Sequence, residues 1–571
     1  MNDISDRPGS AHWYSAVEAP EQVAGPDAVG WDEQADFVVV GYGGAGVAAA
    51  VEAAETGMSV LALDLDSGGG STAINGGIVY AGGGTAIQRQ AGVEDTPEAM
   101  FAYLRGETQG VVSDATLERF CHESVAMIDW LTARGVRFDA TRYDPKTSYP
   151  PPGYYLYHSD SSLAAARAAV ARPAPRGHKV WAENQGSAAI GLGKALTDPL
   201  MATAAKLGVR FEPQAEVRRL IQSHNGRVLG VAALQFPPGS PAREKYARLQ
   251  ARATAFQIAL PPAFPMARLL LAIAGWYRRR AAALEGQRVL RRIRARKGVC
   301  LSAGGFVFNP QMVEHYAPRY RSAMPLGNPG DNGSGIRLGQ SVGGAVSRMH
   351  HLSAWRFIRP PAGLSWGAMV DSRGARFIDE TVYGAAIGYE LIEHHGGVAW
   401  IVLDQALYEE TLRQTRSKEL YSFQSGPAFL ALKFARRKAQ TLDELAQQCG
   451  LDRAVFGDTI AAYNRAAAGL AEDAFRKAAS ERRPIATAPF YAIDISVSSK
   501  LFPLPVLSLG GLVVDEATGA VQRADGSPIP GLYAAGRTAI GVCSHLYVSG
   551  LSAADCIFSG RRAAASAASL T

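Results

Sequence analysis

Gly41, Gly43 and Gly46 stand in a G-x-G-x-x-G arrangement whose chemistry is to bring backbone amides against a pyrophosphate. In that spacing the first glycine makes a tight turn, the second lets backbone approach the phosphates and the third allows close packing of the helix that follows. Gly44 and Ala45 then open that helix, where unpaired amides favour negative charge. Asp64 lies eighteen residues beyond Gly46 and is followed by Leu65. An acid there accepts hydrogen bonds from ribose hydroxyls.

A glycine-rich turn has this chemistry only if strands and a helix present it. Phe37 to Val40 reads as a buried strand, the Ala-rich run after Gly46 as a helix, and Ser59 to Leu63 as a second buried strand. Together they form a βαβ unit, and the fingerprint by itself leaves FAD and NAD both open. The chain has 571 residues, 47% of them apolar and 19% charged, which excludes a disordered protein and implies more than one domain.

The chain divides into a surface arm (1–33), a nucleotide-binding part (34–236 and 298–330), a basic insertion (237–297), a substrate domain (331–490) and a return to the nucleotide domain (491–571). A hairpin is expected over Arg210 to Ala233 with its turn at His224 to Arg227. The segment KGVCLSAGGFVFNP reads as a strand and a Gly-Gly turn, which places Ala303 and Gly304 beside the cofactor.

The net charge of +6 is uneven, because Arg243 to Lys297 carries fourteen Lys or Arg against two acids. Within that segment Ala263 to Tyr277 is apolar with one arginine, too short for the ~20 residues that cross a bilayer. RRRAAALEGQRVLRRIRARK after it reads as a cationic amphipathic helix. Apolar side chains beside arginines suit a helix lying in an anionic membrane surface; an oligomer contact is the alternative, whereas nucleic-acid binding would not need the apolar run. Five cysteines without a CxxC pair argue against a disulfide framework or zinc site, and MNDISDRPGS lacks the apolar core of a secretory signal. The expected location is cytoplasmic, peripherally held on the inner face of the membrane.

GGLVVDEATGAVQRADGSPIPGLYAAGRTAIGV resembles the second FAD-contacting segment of the fumarate reductase and succinate dehydrogenase flavoproteins. Ser71, Thr72, Asn75, Gly76 and Gly77 are similarly placed to that family's loop along the FAD. Gly536 and Arg537 lie in the returning segment, with Arg537 where many relatives carry an acid. Within the superfamily, GGIVYAGGGTAIQRQAGVEDTPEAM, ARPAPRGH, RFIDETVYG and GVCSHLYVSGLSAADCIFSGRRA resemble the 3-ketosteroid dehydrogenases, nearer to the 3-keto-5α-steroid 4-dehydrogenases than to the 1-dehydrogenases. The resemblance implies an α/β fold, with a Rossmann-type FAD-binding domain, an inserted α+β catalytic domain and a helical membrane-associating insertion. It implies FAD as cofactor, a steroid substrate and an external electron acceptor.

Desaturation beside a ketone removes one hydrogen as a proton and its neighbour as hydride. It needs a donor to the carbonyl and an oxygen base. The resemblance makes Tyr547 the donor to the C3 carbonyl with the Gly550 amide, and Tyr383 and Ser549 the acceptor or relay of the C4 proton. Ser549 also has a reading as N-cap of the closing helix, which begins near Leu551 and brings Ser552 and its amide end toward the flavin. MHHLSAWRFIRPP and LSWG offer an apolar, aromatic pocket, with His350 and His351 either polar gate residues or, as paired histidines more often are, structural. A C1–C2 dehydrogenase, an enoate reductase of the fumarate reductase type and a non-enzymatic flavin electron-transfer subunit remain the alternatives.

Overall fold

Continuous apolar runs become the strands of one sheet in the computed structural model, which describes residues 6–183, 191–258 and 267–569. In chain order the elements that bear on function are β1 (Glu21–Val23), β2 (Glu33–Val40), α1 (Gly44–Glu55), β3 (Val60–Asp64), β4 (Arg210–Pro213), β5 (Glu216–Ser223), β6 (Val228–Gln235), α2 (Pro241–Ile258), α3 (Ala267–Ala282), β7 (Val289–Leu301), α4 (Gly384–Glu393), β8 (Ala520–Gln522), β9 (Pro528–Ala534) and α5 (Leu551–Ala568). The sheet runs β1-β5-β6-β7-β2-β3-β4, and β9 adds to β7 with β8 beside it.

β7, β2, β3 and β4 are parallel, and β9 joins β7 in parallel through Val299↔Leu532. A parallel sheet is covered on both faces, which is why Phe37, Val38 and Val39 are all fully buried without polar alternation. The expected βαβ unit is present, and the C-terminal segment does return to it. The hairpin expected over 210–233 is β5 and β6, joined at Ser223 to Arg227. A second, four-stranded sheet (Ala368–Asp371, Ala399–Leu403, Phe490–Asp494 and Arg436–Ala439) carries the other body of the α/β architecture.

Two helices, α2 and α3, are inserted between β6 and β7 and pack on Phe236 through Tyr246, Leu249 and Ala281. The expected cationic helix is corrected here. α3 ends at Ala282, and from Val289 the chain is strand. Ile293 and Ala295 alternate inward, fully buried and 3% exposed, so the pattern has the two-residue period of a strand. Arginines flanking them meet carboxylates: Arg292 with Glu21 at 3.1 Å, Arg296 with Asp36 at 2.8 Å and, just before the strand, Arg288 with Glu216 at 2.8 Å. Part of the local positive charge is therefore paired with carboxylates of the sheet. Residues 263–266 of the apolar run lie outside the described residues. No helix among the described residues is long and apolar enough to cross a membrane.

Candidate active site

The turn after β2 exists because Gly41 adopts φ +94°, and a Cβ there would lie 2.5 Å from the Ala303 Cα. α1 starts at Gly44 with Gly43 as its N-cap, and the Gly44 amide donates to Thr72 Oγ1 at 3.2 Å. Of the residues expected at the cofactor, Gly41, Gly43, Gly44, Ala45, Asp64, Leu65, Ser71, Thr72, Asn75, Gly76, Ala303, Gly304, Gly536, Arg537 and Ser552 line one cavity of about 950 Å³. That is near the top of the ~300–1,000 Å³ range of small-molecule sites.

Gly46 and Gly77 do not line it. A Cβ on Gly46 would sit 2.0 Å from the Gly41 carbonyl oxygen, and one on Gly77 would sit 2.5 Å from Val180 Cγ2. Both glycines are needed for close packing.

Asp64 accepts from the amides of Tyr42 at 2.7 Å and Asp66 at 2.8 Å, which fixes its carboxylate at the end of β3. Asp66 lines the same cavity and was not legible in the sequence. Arg537 donates to Asp331 at 2.6 Å, and Ser71 donates to the same carboxylate oxygen at 2.7 Å. Asp331 lies in a Gly-Asn-Pro-Gly turn, whose unusual composition was the signal available for it. The other guanidinium nitrogen of Arg537, Nη1, is buried with no partner among the described residues. A cation aimed this way, beside the start of α1, fits an anionic or oxygen-rich group of FAD.

Tyr383, Tyr547, Ser549 and Gly550 line the same cavity. Tyr547 is held by the loop before α5, with its ring 4.7 Å from that of Trp355 at 37°. Its hydroxyl faces the Gly550 amide. Gly550 has φ +88°, and a Cβ on it would lie 2.7 Å from the Tyr80 nitrogen, so no larger residue fits. Gly550, not Ser549, is the N-cap of α5. The Ser549 hydroxyl instead meets the Tyr157 hydroxyl at 3.2 Å and lies within hydrogen-bonding reach of Tyr383.

Tyr383 sits at the N-cap of α4, its amide donating to Ser161 Oγ at 2.9 Å. The RFIDE motif before it is a buried charge cluster. Arg376 binds Glu380 through two 2.8 Å contacts and Asp473 at 2.6 Å, and Lys477 reaches Glu380 at 3.0 Å. These contacts hold the chain that leads into Tyr383.

Burial pushes the phenols of Tyr383, Tyr157 and Tyr547 well above the ordinary tyrosine range, with the neighbouring phenols adding to it for Tyr383. Kept neutral, Tyr547 is a hydrogen-bond donor at physiological pH. Lys146 lies with Nζ 5.5 Å from the Tyr383 ring centre and donates to the Asp160 carbonyl. Burial pulls this ammonium down to about 8, against the opposing pull of Asp160. Neither Tyr157 nor Lys146 carried a sequence signal, since Tyr157 lies on a two-residue strand, Leu156–Tyr157, and Lys146 in a loop, and the approach of both depends on the tertiary fold.

The remainder of this end of the cavity is aromatic, with Trp355, Phe357, Phe423 and Phe502 among its lining. The expected apolar pocket is thus built by Trp355 and Phe357 of the AWRF stretch. LSWG is elsewhere, its Trp366 indole donating to Glu481 at 3.1 Å. His350 and His351 do not line the cavity; their rings meet edge to face at 4.5 Å, and the His351 ring is tilted against that of His545 at 5.3 Å.

A family model described as an FAD binding domain matches residues 36–550. The chain is 39% identical over 519 residues to the 3-oxo-5-alpha-steroid 4-dehydrogenase of Comamonas testosteroni, covering 90% of this chain and 94% of that one. It is 25% identical over 596 residues to the 3-oxosteroid 1-dehydrogenase of Mycolicibacterium smegmatis, with the same two coverages. Among solved structures it is similar to the 3-ketosteroid-delta4-(5alpha)-dehydrogenase from Rhodococcus jostii RHA1 in complex with 4-androstene-3,17-dione. There the TM-score is 0.79 and the identity 31%, over 96% of this chain and 99% of that one.

Proposed function

The chain belongs to the FAD-binding flavoprotein family that includes the 3-oxo-5-alpha-steroid 4-dehydrogenases, and from that membership we propose how its residues desaturate a 3-oxo-5α-steroid to the 3-oxo-4-ene. The enzyme is an FAD-dependent oxidoreductase acting on a CH–CH group. The observation that carries the reading is that one cavity holds both the FAD residues and a cluster of tyrosine and serine hydroxyls under an aromatic wall.

The Tyr547 hydroxyl and the Gly550 amide hold the C3 carbonyl oxygen, where negative charge develops as the C4 proton leaves. That proton passes to the oxygen pair of Tyr383 and Ser549, with Tyr157 behind Ser549 as the next group in line. A neutral phenol is a weak base at pH 7, so Tyr383 takes the C4 proton as its own hydroxyl proton moves onto Ser549, the Ser549 proton onto Tyr157 and the Tyr157 proton out to solvent. Lys146 beside the Tyr383 ring favours the negative charge that grows on the phenol oxygen as its proton leaves. FAD, when bound, supplies the acceptor for the hydride that leaves C5. The C4–H electron pair becomes the new C4=C5 bond, and an external electron acceptor removes the two electrons afterwards. Trp355, Phe357 and Phe423 exclude water and suit a sterol skeleton better than a dicarboxylate.

A 5α-reduced 3-ketosteroid bleaches the flavin under anaerobic conditions if this assignment is right. Bleaching by a 4-ene-3-ketone alone would transfer the reaction to C1–C2, and reoxidation of the reduced enzyme by fumarate with both steroids silent would transfer it to enoate reduction.

The insertion carries a separate proposal of peripheral membrane contact, on the inner, cytoplasmic face. The observation that favours it is the outer face of α3, where Leu269 is 55% and Trp276 44% exposed beside exposed Arg279 and Arg280. Each basic residue near an anionic surface is worth ~1 kcal/mol. The combined variant Trp276→Ala, Arg279→Glu, Arg280→Glu should no longer sediment with anionic liposomes, and unchanged sedimentation would remove this part.

A further inference from the structure

We propose that the inner face of the α2–α3 hairpin is a latch over the adenosine end of bound FAD, making the insertion part of the cofactor site. Four of its residues, Gln250 and Thr254 on α2 and Leu271 and Arg278 on α3, line the same cavity as the glycine turn. The base of the hairpin is tied to the sheet on either side of one short turn. Arg243 pairs with Glu212 at 3.0 Å, and Arg288 pairs with Glu216 at 2.8 Å. Between those two acids, the Gln214 amide donates to the Asp66 carbonyl at 3.0 Å and the Ala215 amide to the Asp64 carbonyl at 2.8 Å. The hairpin is therefore fastened to the chain that flanks the end of β3.

In a βαβ nucleotide site the adenosine ribose lies at the end of that second strand. The pyrophosphate and then the flavin lead away from it, toward Arg537 and the tyrosines. Leu271 lines the cavity and is 43% exposed, so it presents an apolar surface to whatever fills that end. Arg278 brings a half-buried guanidinium to the same space. A leucine beside a guanidinium suits a purine, which takes apolar contact and cation stacking on its faces. The two faces of the hairpin then do different work. The outer face carries Trp276 and Leu269, and the inner face closes on the nucleotide. The substrate enters from elsewhere, because Trp355, Tyr383 and Tyr547 belong to other elements of the cavity lining.

This inference rests on the assignment of FAD, and its test separates the two. Apoprotein prepared from the holoenzyme is titrated with FAD and with FMN, which lacks the adenosine. The variant Leu271→Ala, Arg278→Ala should raise the Kd for FAD by about tenfold and leave that for FMN as in the wild type. Trp276→Ala, on the outer face, should change neither. In the wild type, FAD but not FMN should slow hydrogen exchange in residues 246–256 and 269–281. An unchanged FAD affinity, an equal weakening of FAD and FMN, or hairpin exchange indifferent to FAD would overturn the latch. Wild-type apoprotein that took up neither flavin would instead overturn the cofactor assignment.

Discussion

The Ser549 hydroxyl lies 3.2 Å from the Tyr157 hydroxyl, although 392 positions separate them in the chain. With Tyr383 on its other side, Ser549 stands between two buried phenols. If the C4 proton leaves along this line, Tyr157→Phe should lower the rate of flavin reduction by about tenfold, less than the ~10²–10⁴ of a group that itself touches the reacting proton. Steroid binding should be little changed. Stopped-flow reduction with C4-deuterated substrate checks it, and a wild-type rate with a wild-type isotope effect would exclude Tyr157 from the proton path.

Tyr547→Phe removes the only side-chain donor assigned to the C3 carbonyl while keeping the ring that packs on Trp355. Loss of one donor of this kind costs about 10²–10³ in rate. The loss should appear in kcat and kcat/KM together, because the donor acts most strongly as charge develops on oxygen.

Lys146 sets an alkaline limit. Its ammonium, pulled down to about 8 by burial, is protonated below that pH and neutral above it, so favourable charge beside Tyr383 is present at pH 7 and lost as pH rises through about 8. Flavin reduction should fall across that range. Lys146→Met should be slower at pH 7 and lack this limb, and a variant with the wild-type pH profile would remove Lys146 from the reaction.

Asp331 joins Ser71 to Arg537, and both side chains of the pair are almost buried, 9% and 5% exposed. Breaking a buried pair by removing one partner costs ~3–5 kcal/mol. Asp331→Ala should therefore purify with much less flavin and a lowered Tm that added FAD partly restores.

His178 closes the ARPAPRGH motif, fully inside the protein. Its Nδ1 donates to the Arg176 carbonyl at 3.1 Å, which leaves Nε2 to accept from Thr85 at 2.9 Å. Burial pulls this imidazole down to about 4 from 6.5. Between those values the unfolded chain binds the proton and the folded chain does not, so stability falls as pH falls from about 6.5 to 4. His178→Gln should remove one proton's worth of this slope in thermal denaturation measured against pH.

The cofactor half of the site was legible because glycines and an acid at fixed spacing determine local backbone geometry. Gly41 makes the tight turn, Gly43 caps α1 and Asp64 ends β3, as their order in the chain implies. Tyr547, Ser549 and Gly550 were legible as a contiguous motif, and Tyr383 through RFIDETVYG. Tyr157 and Lys146 were not, since one reaches the site from a two-residue strand and the other from a loop and no periodicity marks either, and Asp331 had only the composition of its turn. The arginines of β7 misled in the other direction. RRIRARK has the charge of a surface helix, and only pairing with β2 and β6 reveals Ile293 and Ala295 as one inward face.

The central claim is that phenolic and serine oxygens over the flavin desaturate C4–C5 of a 3-ketosteroid. Anaerobic titration of the enzyme with a 5α-reduced 3-ketosteroid and with a 4-ene-3-ketone, followed by flavin absorbance, tests it most directly. Full bleaching by the first with formation of the 4-ene product, and none by the second, is the expected result. Bleaching by the second alone, or by neither, would contradict it.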